Sequence, residues 1–193
     1  MDYEKILQDV ELTNFAEEDL NNYISQLSKI NVDSSYYLLL LVGPYQKGKK
    51  RFLSKLSELL NEKISHIDLR NIISVDEAET TKNIDALFSN IKGKGKILFF
   101  SNADRLCGAY TGYTYSSNRY ATPQERYLLQ KIKEIEKIII FDIEDAYNAD
   151  ATMRRYAHHA VIFDKPKSLF SKLTWKLGSV TFHGHEFENE RPA

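Results

Sequence analysis

The chain alternates short unbroken apolar runs with longer segments whose apolar residues recur every three or four positions. The runs are Tyr36 to Val42, Ile64 to Leu69, Ile97 to Phe100, Ile138 to Phe141 and Ala160 to Phe163. Runs of this length without polar alternation read as strands buried on both faces. Between them, Phe52, Leu53, Leu56, Leu59 and Leu60 mark one amphipathic helix, and Ile84, Leu87, Phe88 and Ile91 mark another over 80–91. A third carries Leu128, Leu129, Ile132 and Ile135. It opens with Thr122, Pro123 and Glu125, which supply an N-cap, a proline at the first helical position and a capping-box acid. Strands alternating with helices predict a three-layer α/β domain around a parallel five-stranded sheet.

Two segments flank this core, which runs over 34–165. Residues 1–33 place Leu20, Ile24, Leu27 and Ile30 at helical spacing, with Asn14 and Glu17 as a capping box, and are predicted to form a helical segment packed on the main body. Residues 166–193 form a short C-terminal segment in which Leu169, Phe170, Leu173 and Leu177 share one helical face, with lysines opposite. The stretch 108–121, with Tyr110, Tyr113, Tyr115 and Tyr120, has no periodicity and reads as a contact surface or a flexible loop.

Composition narrows the picture only a little. With 193 residues, the chain is most simply one domain with a full core. Its 26 basic and 27 acidic residues nearly cancel, so net charge favours no partner and nucleic acid would need a local basic patch. The single cysteine, Cys107, forms no internal disulfide and fits a reducing compartment. No signal peptide or membrane-length apolar run is present, so the expectation is a cytoplasmic protein without a membrane span. His158, His159, His183 and His185 lack companion ligands at metal-binding spacing, and no metal is expected.

The candidate chemistry follows the first strand. Gly43, Pro44, Tyr45, Gln46, Lys47, Gly48, Lys49 and Lys50 have the spacing of a phosphate-binding loop, G-x-x-x-x-G-K-[ST]. Such a loop wraps phosphates in backbone N–H groups, aims its lysine at the outer phosphates and holds magnesium through the last hydroxyl. Here that last residue is Lys50, a donor without a lone pair for a metal. The expectation is a loop that keeps its shape and has lost its metal ligand.

Further residues carry a family likeness. Asp68, Leu69 and Ser74 after the second strand, Glu79, Thr80, Lys82 and Asn83 at the next helix, and Ala103, Asp104, Leu106 and Gly108 after the third strand fall in register with the loop. Arg119 to Ala121, Tyr127 to Gln130 and Met153 to Arg155 continue the match. Over about residues 36–165 the chain resembles the core of AAA+ ATPases, in particular the compact bacterial kind found near phage-tail-like contractile injection systems. The resemblance implies a P-loop NTPase fold with a reduced or absent C-terminal lid, and a habit of ring assembly with protein partners in homo- or hetero-oligomers.

The departures from that family are equally specific. Its catalytic Asp-Glu pair is replaced by Ser101 and Asn102, with Asp104 nearby, so neither magnesium binding nor water activation survives in this degenerate Walker B segment. The sensor asparagine falls on Glu144, or on Asp142 if the register slips. The pore-loop aromatic falls on Asp76 and the adjacent glycine on Ala78. Arg154 and Arg155 stand where the family places an arginine finger. Together these imply a pseudo-ATPase acting as scaffold or regulatory subunit, with no catalytic residues of its own. Metal-free binding of ATP or ADP, with Lys50 standing in for part of the magnesium charge, is one reading of the loop. A pocket shut by Lys50 and Arg51 pairing with acids such as Asp104 is the other. The alternatives are an atypical ATPase using Asp104 or Glu144, and a polyanion-binding module built on Lys47, Lys49, Lys50 and Arg51.

Overall fold

A computed structural model describes residues 2–15, 19–27, 35–91, 93, 95–106, 121–164 and 188–190. In chain order the elements are α1 (Tyr3–Ile6), β1 (Glu11–Asn14), α2 (Asp19–Leu27), β2 (Tyr37–Val42), α3 (Gln46–Leu60), β3 (Ile64–Asp68), α4 (Glu77–Ile91), β4 (Ile97–Ser101), α5 (Pro123–Lys133), β5 (Ile138–Ile143), α6 (Ala151–Tyr156), β6 (His159–Ile162) and β7 (Glu188–Glu190). Short 3-10 turns lie at Leu69–Asn71, Ala103–Arg105 and Ala146–Asn148. The expectations placed on 107–120 and on 165–187, including the tyrosine-rich stretch and the C-terminal apolar face, lie outside the described residues.

Seven strands form one sheet in the order β1-β6-β2-β5-β4-β3-β7, and each pairing is parallel. The five strands read from the apolar runs are its centre. The other two are edges, drawn from the flanking segments that were expected to lie outside the sheet. Residues 1–33 are therefore not helical throughout. Asn14 ends β1, where it pairs with Ile162. An edge strand is covered less than a central one, which is why Glu11, Leu12, Thr13 and Asn14 show no apolar run.

The pleat of the central strands sorts their side chains onto two cores. Leu38, Leu40 and Val42 of β2, with Ile139, Phe141 and Ile143 of β5, pack beneath α4, α5 and α6. Leu39 and Leu41, with Ile138 and Ile140, face α3 and α2 through Phe52, Leu53, Leu56, Ile24 and Leu27. This two-sided burial explains why β2 and β5 read as continuous apolar runs. It also decides which residues at the strand ends can meet, because alternate residues face opposite layers. By that parity Asp142 joins Ile138 and Ile140 on the α3 side.

A buried histidine ties the N-terminal segment to this frame. His159 opens β6, shares a hydrogen bond of 2.8 Å with the Thr13 hydroxyl, lies 3.6 Å from the Glu11 carboxylate and stacks on Tyr23 of α2 at 4.0 Å. Burial pushes its pKa below the ordinary histidine value, against the opposing pull of Glu11. A depressed folded-state pKa means that the folded chain binds fewer protons than the unfolded one. This contribution is therefore present above the unfolded value of 6.5 and lost as pH falls below it. Urea unfolding at about pH 7.5 and about pH 5.5 should show the parent losing stability on acidification. His159→Phe, which keeps the ring on Tyr23 but cannot titrate, should show a smaller loss. An equal loss in both proteins would exclude His159 as the cause.

Candidate functional site

The phosphate-loop motif sits where β2 ends and α3 begins, at the C-terminal edge of the sheet. The spacing predicts a loop that keeps its phosphate-binding shape, whereas most of the motif here is already helix. Helix α3 starts at Gln46, and the Lys49 N–H already donates to the Tyr45 carbonyl at 3.2 Å in the first helical turn. Only Gly43, Pro44 and Tyr45 remain between strand and helix. Their amides are engaged within the chain: Gly43 N–H donates to Ile143 O at 2.9 Å and Tyr45 N–H to Phe163 O at 3.1 Å. Gln46 N–H donates to Pro44 O at 3.0 Å.

Both glycines of the motif have packing reasons to be glycine. Gly43 has φ of +119°, a region side chains rarely adopt, and a Cβ there would lie 2.5 Å from the Phe163 carbonyl oxygen. A Cβ on Gly48 would lie 2.5 Å from the Tyr45 ring and 3.0 Å from that of Phe163. Tyr45 and Phe163 in turn contact Phe15, at ring-centroid distances of 6.1 and 4.7 Å. An aromatic cluster thus lies against the motif. Gln46, Lys47 and Lys50 are exposed, so Lys50 does not close the site as one reading of the sequence supposed.

Lys49 is the chemical centre of the region. Its side chain is 1% exposed, and its ammonium donates to Asp142 Oδ1 at 2.5 Å and to the Ile143 carbonyl at 3.0 Å. Burial lowers its pKa from the ordinary lysine value, while Asp142, and more weakly Asp104 and Glu144, oppose that shift. Asp142 rather than Glu144 is thus the carboxylate that meets the lysine. β5 continues through Ile143, so Asp142 is still in the ladder beside Leu41, on the α3 face. Glu144 has left the strand, is exposed, and donates its N–H to Asp104 at 2.8 Å. Asp104 also accepts from the Asn148 amide at 2.7 Å, so its carboxylate organises the turn after β5 instead of pairing with Lys50 or Arg51. The sequence held a signal for this pair: Asp142 stands between Phe141 and Ile143 at the end of an apolar run, and such a carboxylate needs a partner.

The residues at the catalytic Asp-Glu positions bond sideways along the sheet. Ser101 Oγ lies 2.8 Å from His66 Nε2. Asn102, in the left-handed region at φ 59°, donates to Asp68 Oδ1 at 2.9 Å. Asp68 is gripped by Arg70, whose Nε donates at 2.9 Å, and these bonds hold its pKa down to about 2. At the pore-loop position, Asp76 accepts from Ala78 N–H at 2.8 Å and its carbonyl accepts from Thr80 N–H at 3.0 Å, so it caps α4. Val75 before it is fully exposed. Arg154 is spent internally, donating to Ala149 O at 2.7 Å and lying 3.8 Å from Asp9, whereas Arg155 is exposed. No group of His, Cys, Asp or Glu suited to a metal occurs among the described residues, and none of their helices is long and apolar enough to cross a membrane.

No protein-family model matches the sequence, and no curated protein matches it either. Solved structures do. A chain of the E. coli MS115-1 HORMA:CdnC:Trip13 complex superposes with a TM-score of 0.56 at 14% identity, over 93% of this chain and 72% of that one. The FIGL-1 AAA domain in complex with ADP gives a TM-score of 0.46 at 17% identity, over 67% of this chain and 44% of that one, which is too low to bear on the fold. At such identities the first likeness speaks for architecture alone: the chain has an AAA+-like P-loop NTPase fold.

Proposed function

We propose that this chain is a catalytically inactive AAA+-like domain that serves as a scaffold or regulatory subunit for protein partners. The observation that carries the reading is the state of Lys49. Its ammonium is buried and saturated by Asp142 and Ile143 O, in the place where a working loop offers it to phosphate. The remaining parts support the same reading. The Gly43, Tyr45, Gln46 and Lys49 amides are bonded within the chain, Tyr45 lies on Gly48, and Ser101 and Asn102 offer no charge for a metal. These residues do not fit a bound nucleoside polyphosphate, because Lys49 would have to leave its carboxylate, and Asp142, Asp104 and Glu144 would repel the arriving charge. The metal-free nucleotide reading has no such observation behind it. Neither has an atypical ATPase drawing on Glu144, whose exposed carboxylate is not the one that meets Lys49.

Calorimetric titration with ATP and ADP, in magnesium and in EDTA, should give no binding heat, and neither nucleotide should raise the melting temperature. A ligand that binds only the folded state must stabilise it. Magnesium-dependent phosphate release that disappears in Lys49→Ala would overturn the proposal.

The role of Lys49 has a second test that needs no ligand. A phosphate-loop lysine that waits for nucleotide contributes little to the empty protein, so its loss should change stability by about 0.5 kcal/mol or less. Removing one member of a buried pair leaves an uncompensated charge. With Asp142 still partly exposed to water, Lys49→Met should destabilise the unliganded protein by about 2–4 kcal/mol. Adding Asp142→Asn should recover much of that loss, because the stranded carboxylate is gone. Denaturant melts of the parent, both single variants and the double variant measure the coupling directly.

A further inference from the structure

A second buried ionisable group lies on the opposite face of the sheet, between α5 and α6. Glu125 is fully buried, and neither of its carboxyl oxygens has a well-formed hydrogen bond. The capping box read from the sequence is therefore half formed. Thr122 Oγ1 accepts from Glu125 N–H at 3.1 Å, but the glutamate makes no well-formed bond back to the cap, and the Thr122 backbone acts on it less than Asp150 does. It turns instead towards Asp150, which is 4% exposed and caps α6. Asp150 Oδ1 accepts from Thr152 N–H at 2.7 Å and Met153 N–H at 2.9 Å, while its Oδ2 has no other partner.

Two ionised carboxylates are acceptors only and cannot satisfy one another; one proton between them turns the contact into a donor–acceptor pair. The flanking charges do not neutralise the pair. Arg126, on the surface of α5, attracts Glu125 only weakly. Arg154, one turn along α6, is directed to Ala149 O and Asp9. The helix-start amides at Thr152 and Met153 favour charge on Asp150, so the proton resides on Glu125. Burial first, and the Asp150 charge second, push the Glu125 pKa up to about 8.

We infer that Glu125 and Asp150 share one proton that clasps α6 to α5, and that its loss to solvent releases the start of α6 while the sheet stays folded. Deprotonation leaves two buried carboxylates facing each other. The cheapest relief is for Asp150 to swing towards water, which gives up its two bonds to the α6 amides. The segment that loosens carries Arg154, and through it the contact with Asp9 of the N-terminal segment. The sign of the stability effect follows from the raised pKa. The contribution is fully present below the ordinary glutamate value of 4.5 and is lost as pH rises through about 8.

Two measurements on the full chain test the clasp. With carboxyl-labelled glutamate, one carboxyl resonance should titrate well above the others, and it should vanish in Glu125→Gln. Hydrogen exchange at Thr152 and Met153, corrected for the intrinsic pH dependence, should lose about tenfold or more in protection between about pH 6.5 and about pH 9. In Glu125→Gln, whose amide donates to Asp150 without titrating, that protection should stay level. Asp150→Asn serves as a second variant. It removes the opposing charge, so the Glu125 resonance should titrate at lower pH than in the parent. The proposal is overturned if every glutamate titrates below about pH 6, or if Glu125→Gln keeps the parent's pH-dependent exchange.

Discussion

A buried ammonium sets the arrangement at the C-terminal edge of the sheet. Taking a lysine charge out of water costs several kcal/mol unless a counter-charge and further acceptors meet it, whereas a typical hydrogen bond contributes about 1 kcal/mol net. Lys49 is held by α3 within reach of β5, so the strand must present a carboxylate on its α3 face, and Asp142 does so. Once that pair is formed, α3 is drawn down onto the strand ends. Its first turn closes at Gln46, Tyr45 is laid across Gly48, and Phe163 packs against Gly43. The Gly43 and Tyr45 amides then bond Ile143 at the end of β5 and Phe163 just after β6.

The same economy of partners is seen at several positions where the chain departs from the family it resembles. Ser101 meets His66, Asn102 meets Asp68, Asp104 meets the turn after β5, and Asp76 caps α4. These polar groups are each engaged by a neighbour. A site kept ready for a ligand holds donors and charges in reserve, since the ligand supplies their missing partners. In this protein the reserve lies elsewhere, in exposed Lys47, Lys50, Arg51 and Arg155, away from the motif lysine.

The legibility of the sequence followed the strength of burial. The five central strands and the helices α3, α4 and α5 were plain, because two-sided cores leave apolar runs and one-sided packing leaves a 3.6-residue period. Edge strand β1 was missed since Glu11–Asn14 needs cover on little more than one face, and its alternation is too short to stand out. At the site, the motif spacing singled out Lys49 but said nothing about what would meet it. That depends on where β5 ends: Asp142 is still in the ladder on the α3 face, whereas Glu144 lies beyond the strand. The Glu125–Asp150 contact was hidden by another rule: a glutamate three residues after a threonine cap is expected to bond the cap, and here a tertiary neighbour competes for it.

Lys49 and Glu125 pose the same physical problem on opposite faces of one sheet, and the fold solves it in two ways. For Lys49 the answer is a permanent counter-ion with a backbone carbonyl beside it, so the pair persists wherever both groups keep their ordinary charges. For Glu125 the described residues supply only the weak attraction of Arg126, and the answer is to hold a proton. The first solution is indifferent to conditions near neutrality, while the second is conditional on them. A motif lysine fixed by an ion pair is a rigid foundation, which suits the scaffold role proposed above. A helix pair joined by one titratable proton is a place where that scaffold can yield locally. The residues between the two, Asp142 to Asp150, form one short continuous segment, so the rigid and the yielding parts of the molecule meet within nine residues of chain.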